Sequence, residues 1–334
     1  MPQRSREIRL AGRPEGEPEL RHFELAETEV SDPGPGEVLV RNLWMSVDPY
    51  MRGRMSDRPS YVPPFELGAP LQGGAIGEVI KAGDSKGPEP GTLVTHQLGW
   101  REYATLPANQ AMAIDPDVAP PQAYLGVLGM PGLTAYVGLL DIGELREGDV
   151  VFVSAAAGAV GSLAGQIAKA RGHRVIGSAG PPEKVAWVRD ELGFDAVFSY
   201  RDGPVAARLS EAAPEGIDLY FDNVGGEHLE AAIGALRVHG RIAMCGAISS
   251  YNDPHPTGPR NLTLAIGKRL TMRGFIILDH FNRLPEFVRE VAPLVRDGRV
   301  RYRETVVEGI ERAPEAFIGL LRGDNVGKML VKLA

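Results

Sequence analysis

Two glycines lie in the stretch AAAGAVGS (155–162), which joins an apolar segment to one rich in helix-forming residues. Gly158 would let the backbone approach a pyrophosphate, and Gly161 would let the following helix pack tightly against a sheet. That helix would present free N–H groups to the phosphates. Ala156 stands where the dinucleotide fingerprint usually has its first glycine, and alanine can serve there if its dihedral angles stay ordinary. The stretch predicts a dinucleotide-binding turn.

The second apolar segment after this turn indicates which dinucleotide would bind. An NAD site usually ends its second strand with an Asp or Glu that holds the ribose hydroxyls. Here small neutral residues occupy that zone, Ser178 and Gly180 among them, and Lys184 follows on the first turn of the next predicted helix. A cation beside small residues suits a 2′-phosphate, so the pattern predicts NADP(H). In the alternative interpretation, Lys184 is a solvated helix residue.

The other reactive residues do not form the pattern of a metal centre or a hydrolytic nucleophile. A catalytic zinc needs three protein ligands drawn from His, Cys and carboxylates, whereas the seven histidines are scattered along the chain. Cys245 lies at the end of a predicted buried strand, where a lone cysteine is usually a small core residue. No G-x-S-x-G elbow is present. We therefore expect no metal, and a reaction that depends on NADPH.

The elements that must position these residues alternate between strand-like and helix-like patterns. Six apolar segments are predicted as strands: 150–155, 174–179, 195–200, 217–224, 241–247 and 271–277. Helices are predicted between them, and the one over 227–240 ends in Gly240 as a C-cap would. This alternation predicts an α/β fold with a doubly wound, six-stranded parallel sheet. The uncharged run 150–168 has too few large apolar residues for a membrane span.

The flanking parts of the chain have short alternating segments punctuated by Gly and Pro, which predict a β-rich domain. We expect a β-rich domain over 1–125, a Rossmann NADP-binding domain over 126–300, and a return segment, 301–334, that completes the β-rich domain. The turn-rich stretch 252–261 is either a surface loop or a mobile lid.

The 334-residue chain has a formal net charge of −7, which counts against nucleic acid or an anionic membrane as a partner. The single cysteine excludes an internal disulfide and favours a reducing compartment. The charged N-terminal stretch shows no signal peptide. We expect a cytoplasmic protein without nucleic-acid or membrane partners.

Six motifs follow one another along the chain: SVDPYMRGRM (46–55), LGMPGLTAYVGLL (128–140), AAAGAVGS (155–162), YFDNVGGE (220–227), CGAISSYN (245–252) and GDNVGK (323–328). Together they resemble the zinc-free medium-chain dehydrogenases/reductases, within the prostaglandin reductase / alkenal double-bond reductase branch that includes curcumin reductase-like enzymes. The resemblance implies a GroES-like β-rich catalytic domain, a Rossmann domain and a homodimer. It also implies reduction of the C=C bond of α,β-unsaturated aldehydes and ketones by NADPH.

The resemblance further implies which residues bind the cofactor. In chain order they are Gly158, Ala159, Val160, Gly161, Lys184, Tyr200, Asn223, Cys245, Gly246, Ala247, Ile248, Ser249, Tyr251, Phe275, Ile276, Ile277 and Asn325. The first four would hold the pyrophosphate, the next two the 2′-phosphate, and Asn223 the ribose region. The segments Cys245–Tyr251 and Phe275–Ile277 would line the nicotinamide pocket, and Asn325 would reach the cofactor from the returning segment.

Three residues are the candidates for catalysis. Tyr251 resembles the family's suspected proton donor or carbonyl-polarising group, since charge grows on the carbonyl oxygen when hydride attacks the β-carbon. Alternatively, Tyr251 is a loop aromatic that packs on the cofactor. Tyr50 is a further candidate, and so is Arg52, which would meet a substrate carboxylate or the cofactor phosphates, or else pair with Asp48.

Two other functions stay open at this point. A quinone reductase would share the zinc-free hydride chemistry, although CGAISSYN (245–252) favours an enone reductase. A non-catalytic NADPH-binding protein, structural or RNA-binding, is the other alternative. The acidic balance counts against RNA, and the intact nicotinamide-pocket motifs count against a purely structural role.

Overall fold

The computed structural model describes residues 3–84 and 86–334. They divide into two compact units: the residues up to Leu125 together with Glu304–Ala334, and Gly126–Arg303. The chain therefore leaves the first unit, builds the second, and returns to complete the first. The catalytic and NADP-binding roles assigned to the two domains stay predictions.

The strands, numbered in chain order, are β1 Gln3–Leu10, β2 Phe23–Val30, β3 Glu37–Ser46, β4 Ala75–Ala82, β5 Leu93–His96, β6 Tyr103–Pro107, β7 Met112–Ala113, β8 Val150–Val153, β9 Arg174–Ala179, β10 Ala196–Ser199, β11 Ile217–Asp222, β12 Leu236–Met244, β13 Thr271–Gly274, β14 Glu304–Glu308 and β15 Lys328–Lys332. The α-helices are α1 Met51–Arg54, α2 Met130–Val137, α3 Ala159–Ala170, α4 Pro182–Ala186, α5 Val205–Ala212, α6 Gly226–Ala235, α7 Leu264–Lys268, α8 Leu284–Arg296 and α9 Ala313–Arg322.

The first unit is built on a seven-stranded sheet in which β3 is central. This strand pairs antiparallel with β4, β6 and β15, and β15 pairs in parallel with β14. Beside the sheet, Trp100 stacks on Phe23 with ring centroids 6.2 Å apart and meets Phe317 edge-on at 6.1 Å. Because Phe317 lies on α9, the C-terminal segment contributes both a strand and core side chains to this unit.

The second unit contains a six-stranded parallel sheet in the order β10-β9-β8-β11-β12-β13. This is the doubly wound order, in which the strand order reverses between β8 and β11. Apart from half-buried Val150, the apolar residues of β8, β9 and β11 are buried, as expected for parallel strands covered by helices on both faces. The predicted α/β class with a β-rich domain and a six-stranded parallel sheet is confirmed.

Three predicted elements end three or more residues before their predicted ends. The helix predicted over 227–240 stops at Ala235, because buried Leu236 pairs with Ile217 and begins β12 instead. Gly240 therefore lies inside a strand, where an added Cβ would lie 2.7 Å from the Leu236 side chain. In this helix, sheet pairing overrides the local pattern. The strands predicted over 241–247 and 271–277 end at Met244 and Gly274, where the pairing between β12 and β13 stops.

Candidate cofactor-binding site and active site

The glycine turn lies between β8 and α3, at the reversal point of the sheet. Gly158 precedes the first helical residue in an extended conformation (φ −86°, ψ 170°). A Cβ on Gly161 would lie 2.4 Å from the carbonyl oxygen of Ala155, so only glycine lets the helix start this close to the turn. The left-handed residue is Ala155 (φ +48°), while Ala156 keeps an ordinary φ and donates to the Ser178 carbonyl at 2.9 Å.

This turn fits a dinucleotide pyrophosphate. Gly158, Ala159 and Val160 are half-buried at the N-terminus of a twelve-residue helix, whose first N–H groups have no partner within the helix. An alanine at Gly158 would place its Cβ 3.2 Å from the Ala155 carbonyl oxygen, in the space at the helix N-terminus where the phosphates would lie. The residue types and the helix direction therefore suit a phosphate anion.

The ends of β9 and β10 bring the predicted 2′-phosphate residues together. A Cβ on Gly180 would lie 2.7 Å from the Tyr200 hydroxyl oxygen and 3.3 Å from Arg201 Nε. Lys184 is only 9% exposed, so the interpretation of it as a solvated helix residue is wrong. Ser178 is fully buried, and its hydroxyl has no hydrogen-bond partner among the described residues. Arg201 was not among the residues predicted for this corner, because it lies outside every motif.

A buried polar network occupies the reversal point of the sheet, where β8 and β11 end. The Tyr220 hydroxyl donates to Asp222 Oδ1 at 2.7 Å and lies 2.9 Å from Ser154 Oγ. Asn223 donates from Nδ2 to the Ser154 carbonyl at 2.8 Å and from its backbone N–H to Ser154 Oγ at 3.0 Å. The predicted ribose residue Asn223 is thus held in place by the end of the neighbouring strand.

Asp222 connects this network to the segment predicted to line the nicotinamide pocket. Its Oδ1 also accepts from the backbone N–H groups of Val224 and Gly225, at 2.9 and 2.8 Å. Its carbonyl oxygen accepts from the N–H groups of Cys245 and Gly246, at 2.9 and 3.0 Å. Burial raises the pKa of the Asp222 carboxyl above its ordinary value, although the donors to that carboxyl, Gly225, Tyr220 and Val224, act in the opposite direction. One residue therefore positions both chain segments at the ends of β11 and β12.

Beyond this point the chain forms a short turn that ends at Tyr251. The backbone N–H of Ala247 donates to the Tyr251 hydroxyl oxygen at 3.3 Å, and Ser249 Oγ donates to the Val224 carbonyl at 2.6 Å. Ile248 lies on the same turn. Removal from water and the nearby Asp222 carboxylate raise the pKa of the Cys245 thiol to about 12. The thiol therefore stays protonated at neutral pH.

Phe275, Ile276 and Ile277 follow directly after β13, at the same carboxyl-terminal edge of the parallel sheet. All three are half-buried. Their position at this edge is compatible with the predicted nicotinamide pocket, although they are not part of a strand.

In the first unit, the SVDPYMRGRM motif meets the GDNVGK motif. Lys328 Nζ lies 3.1 Å from Asp48 Oδ1, and both side chains are buried. Arg52 donates to the carbonyl oxygens of Pro14 and Gly16, at 3.2 and 2.7 Å. Asn325 donates from Nδ2 to the Gly327 carbonyl at 2.6 Å. Asp48, which the sequence analysis considered as an ion-pair partner of Arg52, therefore pairs with Lys328.

Tyr50 lies on the same motif, just before α1. Burial, followed by the charge of Asp48, raises the pKa of Tyr50 well above its ordinary value. The phenol stays protonated at every physiological pH, so it can act as a hydrogen-bond donor and not as a base.

Two buried histidines make stability depend on pH. His96 Nε2 lies 2.8 Å from Asn42 Oδ1, and His96 Nδ1 accepts from the Leu98 N–H at 3.1 Å, an arrangement that needs a neutral imidazole. His228 meets the Tyr200 ring edge-on at 5.5 Å. Burial lowers the pKa of each from 6.5 to about 4.

We expect the free energy of unfolding to fall as the pH drops from about 6.5 to 4. Between these values the unfolded chain binds protons at both histidines and the folded chain does not, so the stabilisation is complete above pH 6.5. Each histidine should account for about 2–3 kcal/mol at pH 4. Urea unfolding of wild type and His228→Phe at pH 7, 5 and 4 measures this. An equal loss in both proteins would contradict the assignment to His228.

Within residues 3–84 and 86–334, no three His, Cys, Asp or Glu side chains cluster in a way that would hold a metal ion. In the same part of the chain, every helix is too short or too polar to cross a membrane.

Two family models match this chain. Residues 6–114 match the model described as the N-terminal domain of oxidoreductase, and residues 159–293 match the model described as zinc-binding dehydrogenase. Together they cover more than half of the sequence.

Among characterised proteins, the chain is 42% identical to the NADPH-dependent curcumin reductase of Escherichia coli, over 99% of this chain and 98% of that protein. It is 43% identical to the NADP-dependent 2-alkenal reductase of Nicotiana tabacum, over 90% of this chain and 88% of that protein. The crystal structure of CurA from Vibrio vulnificus in complex with NADPH superimposes with a TM-score of 0.93 at 42% identity, over 98% of this chain and 99% of that one.

Proposed function

Because the chain belongs to the zinc-free, NADP-dependent reductase branch of the medium-chain dehydrogenases/reductases, we propose that it reduces the C=C bond of α,β-unsaturated aldehydes and ketones with NADPH. The observation that carries the proposal is the glycine turn at the reversal point of the parallel sheet, with Gly180 and Tyr200 just after the neighbouring strands and buried Lys184 on α4. A curcumin reductase and a 2-alkenal reductase are both relatives over most of the chain.

We propose that Gly126–Arg303 is the NADP-binding domain and that the remaining unit is the catalytic domain. The turn from Gly158 to Gly161 would hold the pyrophosphate, Lys184 and Tyr200 the 2′-phosphate, and Asn223 the ribose. The segments Cys245–Tyr251 and Phe275–Ile277 would line the nicotinamide, and Asn325 is a further proposed cofactor contact. The positions of the second-unit residues at the carboxyl edge of one sheet support this assignment.

The protein must then stabilise the charge that develops on the substrate. NADPH, when bound, supplies the hydride that the β-carbon of the enone accepts. The carbonyl oxygen of the substrate gains negative charge as an enolate, which a fixed hydrogen-bond donor stabilises. A proton from water or a ribose hydroxyl then adds to the α-carbon and completes the reduction. We assign that donation to the phenol of Tyr251, because a hydroxyl that accepts from the Ala247 N–H keeps its own hydrogen as a donor. Tyr50, held protonated by its burial, is a second proposed donor.

Arg52 remains a proposed catalytic residue, but its hydrogen bonds also give it a structural role. Its contacts with the carbonyl oxygens of Pro14 and Gly16 fix the N-terminal loop against α1. A role toward substrate carboxylates would show as a loss of activity on acidic enones alone, whereas a structural role would lower activity on all of them.

The first test is the loss of NADPH absorbance with a trans-2-alkenal and an enone, beside NADH and beside a quinone. Turnover of the enone with NADPH preferred over NADH is the expected result. Turnover of the quinone alone would replace the proposed reaction with quinone reduction, and NADPH binding without turnover of any acceptor would reject an enzymatic role.

For Tyr251→Phe we expect kcat to fall by about 100-fold, with the KM for NADPH changed less than twofold. The phenyl ring can still pack on a cofactor, so a packing role alone predicts nearly unchanged kcat. Steady-state kinetics with a saturating enone measures both constants. Tyr103→Phe, on β6, removes a phenol outside the proposed site and serves as the control.

We also propose a homodimer formed through the β13 edge. This strand pairs with β12 on one side and ends the sheet on the other. The segment just before it exposes apolar side chains, Leu264 at 43% and Ile266 at 80%. A second copy related by a twofold axis would cover both the edge and these side chains. Light scattering should give twice the chain mass for wild type and for Met112→Asp, and one chain mass for Ile266→Asp.

We propose a cytoplasmic location, which the single unpaired Cys245 supports because reducing compartments keep thiols free. Fractionation of the producing cells should recover the activity with the cytosol, and recovery from a membrane or secreted fraction would contradict this.

A further inference from the structure

Arg201 lies beside the predicted 2′-phosphate residues because of the register of two strands. β9 and β10 pair in parallel with Ser199 opposite Ala179, and Tyr200 N donates to the Ala179 carbonyl at 3.1 Å. The next residue therefore emerges over Gly180, where its Nε lies 3.3 Å from the position that a Cβ would take. Ser199 Oγ fixes this corner, because it donates to the Gly180 carbonyl at 2.7 Å and accepts from the Arg201 N–H at 3.2 Å.

The charge of Arg201 is available to a ligand. The side chain is exposed and forms no ion pair within the part of the chain that the structure describes. By contrast, the nearby Arg208 pairs with Glu211 and donates to the Asp202 carbonyl. At this corner the exposed Arg201 guanidinium and the Tyr200 hydroxyl lie over Gly180, which has no side chain. Lys184 follows Gly180 by four residues in the chain.

We propose that Arg201 contacts the 2′-phosphate of the cofactor and is a determinant of the selectivity for NADPH over NADH. The inference rests on the proposed cofactor site. A planar guanidinium binds phosphate oxygens with two parallel hydrogen bonds and can also stack on a purine, whereas a lysine acts as a point charge. Gly180 belongs to the same proposed phosphate site, since any side chain there would occupy the space between Tyr200 and Arg201.

The test compares Arg201→Gln and Arg201→Lys with the control Arg296→Gln, which removes an exposed arginine of the same unit that pairs with its neighbour Asp297. For Arg201→Gln we expect the KM for NADPH to rise about tenfold while the KM for NADH changes less than twofold. Arg201→Lys should recover part of the loss, and Arg296→Gln should leave both constants unchanged. Equal losses for the two cofactors, or no loss, would overturn the inference.

Calorimetry with 2′,5′-ADP and 5′-AMP separates this inference from the proposed reaction, because it needs no turnover. Arg201→Gln should weaken the binding of 2′,5′-ADP about tenfold and leave that of 5′-AMP unchanged. If wild type binds 2′,5′-ADP in this way but reduces no enone, the reaction fails and the role of Arg201 stands. If the enone is reduced and the variant binds 2′,5′-ADP like wild type, the role of Arg201 fails alone.

Discussion

Gly161→Ala is expected to abolish NADPH binding at micromolar concentrations and to lower the free energy of unfolding by about 1–3 kcal/mol. The new Cβ would lie 2.4 Å from the Ala155 carbonyl oxygen, 3.0 Å from its carbonyl carbon and 3.1 Å from the Ala156 Cα. All three are backbone atoms, so no rotamer change relieves the overlap. Helix α3 and the turn must separate, and the N–H groups that would face the pyrophosphate move with them.

Two other glycines provide matched controls. At Gly158 the added Cβ would be 3.2 Å from the Ala155 carbonyl oxygen alone, and at Gly267 it would meet nothing within 4 Å. We expect Gly158→Ala to weaken the binding of NADPH with little loss of stability, and Gly267→Ala to change neither. Urea unfolding and fluorescence titration with NADPH measure the two effects. If Gly161→Ala bound NADPH like wild type, the turn would not be the pyrophosphate site.

Lys328→Met is the substitution expected to cost most in the first unit, about 3–5 kcal/mol of unfolding free energy. Lys328 Nζ donates to the carbonyl oxygens of Val47 and Met329, both at 2.8 Å, and pairs with Asp48 at 3.1 Å. Ser46 Oγ also donates to the Asp48 carboxylate. Without the ammonium group, the carboxylate stays buried with no counter-charge and two carbonyl oxygens lose their donor.

The pair can be separated from its surroundings by a double-mutant cycle. Asp48→Asn removes the other charge, and the double variant removes both, so it should be more stable than the sum of the single losses predicts. Lys332→Met lies on the same strand at a less buried position and should cost less than 1 kcal/mol. A loss below 1 kcal/mol for Lys328→Met would mean that the buried pair contributes nothing to stability.

The parallel sheet was predictable because its strands are short apolar runs between helical segments. The predicted segments 150–155, 174–179 and 195–200 each contain the observed strand, with ends that differ by at most two residues. The glycine turn was predictable for a related reason, since its chemistry is local: the residues that make it are adjacent in the chain. The individual site residues stay predictions until a variant or a bound cofactor tests them.

What the sequence did not reveal depends on contacts between distant residues. The Lys328–Asp48 pair joins opposite ends of the first unit's sequence, and no spacing rule connects them. Arg201 reaches Gly180 only through the register of β9 against β10. The end of α6 was mispredicted because Gly240 reads as a helix cap, whereas Leu236 is committed to the sheet by its pairing with Ile217.

The position of β15 has a consequence for the order in which a ribosome can complete the two units. Gly126–Arg303 is continuous, so all of its strands exist once residue 303 has been made. The first unit must wait for Lys328–Lys332, which pairs with both β3 and β14. At about 5–20 residues per second, β3 therefore spends tens of seconds without one of its partners. During synthesis, the half of the molecule that is made first should be the last to become resistant to proteases.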